Sequence, residues 1–159
     1  MGKKGREIIE IDIKPILSAL RSAYADEWMA HYNYLHAAQI ATGLNAPQVA
    51  SMLKARSADE LTHSTLIGER ILELGGTLPA DWSDIPKLAN SRKFDLPKSA
   101  SDLKGILKAV LKAEREAIDV YKKLLAITLH KDTVTHELAE ELLADEVRDE
   151  EETENLIGE

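Results

Sequence analysis

A chain of 159 residues is long enough to bury one core, and 44% hydrophobic and 30% charged residues are typical of a globular protein. The net charge of −8 argues against nucleic acid as the main partner, and the lack of cysteine excludes disulfides and thiolate metal sites. No apolar run approaches the roughly 18 residues of a membrane span, and no secretory signal is seen, so a cytoplasmic location is expected.

Hydrophobic periodicity predicts four long helices, and no stretch shows sustained strand alternation. Prolines, glycines and capping residues predict their bounds in chain order: near Pro15 to before Gly43, Asn45 to about Leu74, Ser101 or Asp102 to about His130, and Thr133 to about Ile157. Asn45 and Thr133 are expected to cap the second and fourth helices, because their side chains can accept a hydrogen bond from the first turn.

The connections between these helices predict the topology. Residues 43–46 and 131–133 are short links, so helices one and two, and helices three and four, should be antiparallel neighbours. Residues 75–100 form a long link with three prolines, within which residues 82–90 are expected to form a short helix. The sequence therefore predicts an all-α, antiparallel four-helix bundle with one long crossover between helices two and three.

One pattern of acidic residues occurs twice along the chain. In each copy, a glutamate is followed seven residues later by a tyrosine, and the next helix carries Glu-x-x-His or Glu-x-x-Asp. The members are Glu27, Tyr34, Glu60 and His63 in the first copy, and Glu114, Tyr121, Glu146 and Asp149 in the second. Each Glu-x-x pair follows its lone glutamate by 33 or 32 residues, and every glutamate lies near the middle of an apolar helix face.

Four buried glutamates would repel one another, and burying even one without a partner costs at least several kcal/mol. Two divalent cations would neutralise four carboxylates, and His63 adds a nitrogen donor of the kind found in iron and manganese sites. The pattern therefore indicates a buried site for two metal ions. Taken singly, any of these acids could instead pair with Arg56, Arg115 or Arg148, and both tyrosines could simply fill the core.

With these residues, the sequence resembles the ferritin-like superfamily, in particular bacterioferritins and Dps-like ferritins with a bacterioferritin-type site. The resemblance extends over residues 14–154 and implies one ferritin-like domain, residues 1–159, with residues 1–13 as a flexible arm. It implies these roles at an iron-binding, di-iron site: Glu27 and Glu114 as terminal ligands, Glu60 and Glu146 as bridging ligands, His63 as the first histidine ligand, and Tyr34 as the neighbouring tyrosine. Tyr121 is expected, like Tyr34, to hydrogen-bond a ligand or to donate an electron.

The sequence departs from this family pattern at several positions. Asp149 replaces the second histidine ligand, and it binds metal directly, binds through water, or leaves the role to Glu150. A fifth carboxylate would give the diferrous site one excess negative charge and lower its reduction potential. Leu61 replaces the methionine that binds haem, and Met52 lies on another helix face, so no haem is expected. The family's cage-forming fifth helix has no counterpart, which favours a homo-oligomeric shell of twelve subunits over 24.

The resemblance implies a ferroxidase that oxidises Fe(II) with hydrogen peroxide or dioxygen and stores ferric mineral in a cage. Manganese is a second possible metal, because oxygen-rich ligation suits it as well. One alternative is a non-storing di-metal peroxidase or oxidase of the rubrerythrin type. The least favoured alternative is a DNA-protecting or scaffold protein, supported only by Lys3, Lys4 and Arg6; DNA and membranes are not expected as partners.

Overall fold

The computed structural model describes residues 2, 4–5, 9, 12–91 and 93–158, so most of the expected N-terminal arm lies outside the described residues. The described helices are α1 (Lys14–Ile40), α2 (Ala46–Glu73), α3 (Ile85–Leu88), α4 (Leu103–Thr128) and α5 (Thr133–Ile157). A short 3-10 turn, Trp82–Asp84, leads into α3. The described residues contain no strand, and none of their helices has the length and apolarity needed to cross a bilayer.

The four long helices form the predicted bundle with one long crossover. α1 packs along α2, α4 packs along α5, and α1 also contacts α4. The crossover carries the short helix α3, whose Ile85 packs with Ala89 and with Ala25 of α1. Asp26 of α1 accepts hydrogen bonds from the Asn90 side chain and the Ser91 amide, at 2.6 and 3.1 Å. The crossover is therefore fixed against α1 by both apolar and polar contacts.

Two of the predicted helix caps differ in the structure. Asp132, rather than Thr133, caps α5 by accepting a hydrogen bond from the Thr135 amide at 3.2 Å, and Thr133 is the first helical residue. Asn45 occupies the N-cap position of α2, but its side chain makes no capping hydrogen bond. Asp102, one of the two residues at which this helix was expected to begin, caps α4 by accepting a hydrogen bond from the Gly105 amide at 2.9 Å. Aspartate and threonine can both cap a helix, so residue type alone does not show which of residues 132 and 133 is the N-cap of α5. The backbone geometry of the turn decides between them.

Apart from the small cluster at α3, the core consists of two large apolar clusters with a polar layer between them. One cluster includes Ile16, Leu20, Ile71 and Leu142, and the other includes Leu53, Ile106, Val110 and Ile157. In every long helix, the run of buried apolar residues is interrupted near mid-length by a buried glutamate. These residues are Glu27, Glu60, Glu114 and Glu146, each at most 3% exposed. The bundle thus places four carboxylates in the layer between its two apolar clusters.

Candidate metal centre

Three glutamates surround one histidine in the polar layer. Glu27, Glu60, His63 and Glu146 each offer a ligand atom, and these atoms all lie within 4.8 Å of one another. His63 Nδ1 is 3.6 Å from Glu27 Oε2, 3.4 Å from Glu60 Oε2 and 3.5 Å from Glu146 Oε1. This buried nitrogen has no hydrogen-bond partner among the described residues. The donor set, one imidazole nitrogen and three carboxylates facing a common point, fits a divalent metal ion.

The helices account for this convergence. Glu60 and His63 are three residues apart on α2, so their side chains lie on the same face of the helix. Glu27 comes from the middle of α1 and Glu146 from the middle of α5. The apolar clusters on either side fix the register of these helices, and the four side chains meet where neither cluster extends. The structure thus brings together four of the residues that the sequence singled out as metal ligands.

The second nitrogen of His63 faces an acid that the sequence analysis did not identify. His63 Nε2 lies 3.3 Å from Asp145 Oδ2. A carboxylate in this position orients an imidazole and leaves its other nitrogen available for a metal. Asp145 directly precedes Glu146 in the chain, which was the signal available in the sequence. It also accepts a hydrogen bond from Arg148 at the surface.

The two tyrosines of the repeated pattern bind glutamates of the opposite copy. The hydroxyl of Tyr34 on α1 donates to Glu114 Oε1 on α4 at 3.0 Å. The hydroxyl of Tyr121 on α4 donates to Glu27 Oε1 on α1. Both rings are buried, and both hydroxyls are satisfied by carboxylates rather than by water. The tyrosines therefore fill the core and also fix the orientation of the two lone glutamates.

The second copy of the pattern is arranged differently from the first. Arg56 Nη1 donates to Glu114 Oε1 at 2.8 Å. Arg56 Nη2 donates to the Asp149 backbone oxygen at 2.7 Å and lies 3.6 Å from Asp149 Oδ1. Glu114 Oε2 is buried and has no partner among the described residues. The arginine pairing that the sequence left open as an alternative is thus present at Glu114, and the Asp149 carboxylate lies beside the same arginine.

Glu150, the other expected candidate for the second position, lies with a different arginine. Its Oε1 accepts a hydrogen bond from Arg115 Nε at 2.7 Å, and Arg115 also binds Glu154. The Arg115 side chain is half exposed, so these contacts belong to the surface of α4 and α5. The structure therefore brings Glu114 and Asp149 together through Arg56, while Glu150 pairs elsewhere.

Burial and mutual repulsion determine how the clustered acids hold protons. Burial, with the nearby charge of Glu27, raises the pKa of both Glu60 and Glu146 well above the usual glutamate range. Burial also acts to raise the pKa of Glu27, but the contacts of this carboxylate with Glu60 and with the positively charged ring of His63 outweigh burial and lower that pKa. Burial opposes protonation of His63, yet the three surrounding glutamates raise its pKa to about 12. Protons thus supply positive charge where a metal ion would otherwise supply it.

A cavity of about 390 Å³ connects these carboxylates to the surface between α1 and α4. Glu27, Glu60, Glu114 and Glu146 line its buried part, and residues of the crossover, including Asn90 and Phe94, line one side. Its outer part is lined by charged residues of α4: Lys112, Glu116, Asp119 and Lys123. The cavity thus extends from charged surface residues to the polar layer, and its lining includes the four buried glutamates.

Comparison with known proteins agrees with this architecture. The chain is 32% identical over 160 residues to the "DNA protection during starvation protein" of Pyrococcus furiosus, covering 99% of this chain and 86% of that protein. It superposes with a TM-score of 0.89, at 28% identity, on a dodecameric thioferritin, the bacterioferritin-related protein of Bacteroides fragilis, covering 97% of this chain and 92% of that one.

More distant structures share the fold alone. Dps from Thermosynechococcus elongatus superposes with a TM-score of 0.82 at 16% identity, covering 91% of this chain and 90% of that one. The bacterioferritin of Rhodobacter capsulatus superposes with a TM-score of 0.75 at 19% identity, covering 91% and 84%. The family model described as the ferritin-like domain matches residues 17–159. The chain therefore belongs to the ferritin-like family.

Proposed function

We propose that this protein stores and detoxifies iron, and that it oxidises its substrate Fe(II) at the polar layer of the bundle. The observation that carries the proposal is the buried cluster of three glutamates around His63, whose Nδ1 makes no hydrogen bond to the described residues. The proposed iron ligands are Glu27, Glu60, His63, Glu114 and Glu146, with Asp149 beside them. Membership of the ferritin-like family supports an oxidoreductase with this kind of carboxylate site.

The carboxylates and the two buried tyrosines would have different roles in the oxidation. The carboxylates bind Fe(II) and favour the more highly charged Fe(III) product, because negative charge stabilises the higher oxidation state. Two Fe(II) ions together give two electrons to one hydrogen peroxide, which with two protons yields two water molecules and no free hydroxyl radical. Dioxygen can accept the same pair of electrons. Tyr34 and Tyr121 hold Glu114 and Glu27 in place during binding, through their buried hydroxyl contacts.

We further propose that the chains assemble into a shell that encloses the ferric product. Support comes from the similarity to the Bacteroides fragilis protein, which is a dodecamer. A shell of twelve chains is therefore the proposed assembly. The cytoplasmic location expected from the sequence is part of this proposal.

The test is aerobic loading with Fe(II) and a small amount of hydrogen peroxide, followed by sedimentation velocity and an iron assay on one sample. A large particle that retains many irons per chain is the expected result. A dimer with at most about two irons per chain would favour the non-storing di-metal oxidase, since di-metal sites hold two ions. Retention of Mn(II) but not iron would assign manganese to the site.

Two variants make the test specific to the cluster. Glu60→Gln removes one charge from the four-residue group and should slow the initial rate of Fe(II) oxidation by about 100-fold or more, the usual scale for losing a group that binds the reacting ion. Glu69→Gln, on the same helix but on its exposed side, is the matched control and should keep the parental rate. Equal rates in both variants would contradict oxidation at this cluster.

The name of the Pyrococcus furiosus relative favours a second candidate, protection of DNA. The net charge of −8 weighs against it, because binding to phosphate requires a basic surface. Of the basic residues at the N-terminus, Lys3 and Arg6 lie outside the described residues. A gel-shift assay with DNA at low salt distinguishes the two candidate functions. We expect no shift if the protein only stores iron, and a salt-sensitive shift would support DNA binding.

A further inference from the structure

The two halves of the polar layer differ in what faces their carboxylates. In the first half, three glutamates face a histidine nitrogen that makes no hydrogen bond to the described residues. In the second half, Glu114 and Asp149 face the guanidinium of Arg56. A fixed cation of the protein therefore lies in the half of the site where the repeated sequence pattern would place a second metal ion.

Arg56 is held firmly in this position. It lies one helical turn before Glu60 on α2, and only 3% of its surface is exposed. One end of its guanidinium donates to Glu114 on α4, and the other end donates to the backbone of Asp149 on α5. Glu152 of α5 adds a further contact at 3.5 Å. A guanidinium remains charged at any pH at which a protein is folded, so deprotonation cannot remove this charge.

The hydrogen bonds that the Glu114 carboxylate already accepts determine which of its oxygens a second metal ion could use. Glu114 Oε1 already accepts from both Arg56 and Tyr34, and only Glu114 Oε2 lacks a partner. The four residues whose ligand atoms converge do not include Glu114 or Asp149. A second divalent ion would therefore find fewer available oxygens and a positive charge beside it, and like charges repel strongly in a buried site.

We propose that Arg56 makes the two metal positions unequal. A divalent ion binds first among Glu27, Glu60, His63 and Glu146, and a second ion binds at Glu114 only in competition with the Arg56 guanidinium. This inference rests on the proposed function, because it assumes that the cluster binds metal. It also changes the charge count expected from the sequence: the positive charge of Arg56 balances the extra carboxylate of Asp149.

Anaerobic titration with Co(II) tests the inference without any turnover. Calorimetry gives the number and affinities of the sites, and the visible absorption of bound Co(II) distinguishes their coordination. The parental protein should bind one Co(II) per chain tightly and a second at least about tenfold more weakly. In Arg56→Gln, the second affinity should rise by about tenfold or more, while the first changes little.

Arg115→Gln is the matched control, because it removes the same charge from the partly exposed ion pairs with Glu150 and Glu154. It should leave both Co(II) affinities unchanged. If Arg56→Gln does not fold, Arg56→Lys replaces it: a lysine keeps the charge but cannot bind Glu114 and Asp149 with a rigid fork, so the two affinities should move closer together.

Three results would overturn the inference. Two equally tight sites in the parental protein would show that Arg56 does not impede the second ion, and the proposed function would stand. An unchanged ratio of affinities in the Arg56 variants would have the same meaning. Failure of the parental protein to bind Co(II) at all would instead contradict the proposed function, and with it this inference.

Discussion

At the scale of single residues, His63 connects the candidate ligands to the rest of the bundle. One ring nitrogen faces Glu27, Glu60 and Glu146, and the other faces Asp145. An imidazole held from behind by a carboxylate presents its free nitrogen in a fixed direction, which lowers the ordering required when a metal binds. Asp145 is thus a positioning residue in the proposed site.

Replacing Asp145 with alanine should weaken metal binding without removing a ligand. We expect the affinity of the first Co(II) or Zn(II) ion to fall by about 10- to 100-fold, because His63 loses the group that orients its ring. Asp145→Asn, which can still accept a hydrogen bond, should recover part of this loss. Competition titration with a chromophoric chelator measures both values. Asp84→Ala, at an exposed aspartate paired with Lys87, is the control, and an equal loss there would contradict the assigned role.

Metal binding should release protons, and the affinity should therefore increase with pH. The pKa of His63 is raised to about 12, so its ring carries a proton near neutral pH, and the pKa values of Glu60 and Glu146 are raised as well. A metal ion must displace the His63 proton before the nitrogen can bind it, and lower pH opposes this displacement. Calorimetry in buffers of different ionisation enthalpy should detect about one or more protons released per ion at neutral pH. No release would contradict His63 as a ligand.

The proposed metal ligands were easier to predict from the sequence than the residues that support them. Glu60 and His63 share a helix face at a fixed spacing, so helical geometry alone places them together. Arg56 was recognised only as one of three possible arginine partners, and Asp145 was missed. Their contacts cross from α2 to α4 or α5, and the rotation of each helix decides which side chains meet. The spacing of residues along one helix does not show how that helix is rotated relative to its neighbours.

At the scale of helices and turns, Asp132 connects two elements. Its carboxylate caps α5 through the Thr135 amide and accepts from Arg70 Nη2 of α2 at 2.8 Å. Arg70 is 4% exposed and Asp132 is 2% exposed, so this pair is shielded from water. The contact holds the first turn of α5 against the last part of α2, next to one of the apolar clusters. The sequence identified a cap at this turn but assigned it to the neighbouring residue, Thr133.

Asp132→Ala should lower the free energy of unfolding by about 2–4 kcal/mol, because it removes the buried carboxylate that pairs with Arg70 and also removes the helix cap, leaving Arg70 only its ion pair with the half-exposed Glu73. Chemical denaturation in the presence of a chelator measures this effect apart from metal binding. Asp84→Ala serves again as the control, since its exposed pair with Lys87 should contribute at most about 1 kcal/mol. If Asp132→Ala lowered the free energy of unfolding by only about 1 kcal/mol, the result would show that another group pairs with Arg70 in the variant.

At the scale of the whole molecule, the sequence determined the bundle well because several independent signals agreed. Apolar periodicity gave the four long helices, link lengths gave the two hairpins, and the prolines of residues 75–100 marked the crossover. The assembly of chains has no comparable local signal. Scattered exposed apolar residues such as Leu44, Leu72 and Leu156 are common on single chains, so they do not identify an interface by themselves.

The location of the metal cluster nevertheless predicts how metal affects the assembly. All four converging residues come from one chain and lie between its two apolar clusters, so a bound ion joins helices within a chain rather than separate chains. Chelation should therefore destabilise the fold of each chain more than the proposed shell. At a free Zn(II) concentration of about 100 times the dissociation constant, the ion should add about 2.7 kcal/mol per chain to the free energy of unfolding.

Two measurements on one preparation, with and without EDTA, check this expectation. Thermal unfolding should occur at a lower temperature after chelation, because the ion binds the folded chain and not the unfolded one. Sedimentation velocity of the unmineralised protein at low temperature should give the same coefficient in both samples. Dissociation of the shell on chelation would contradict the intra-chain location and would indicate that metal also bridges chains. An unchanged unfolding temperature with an intact shell would mean that the cluster does not bind the ion tightly.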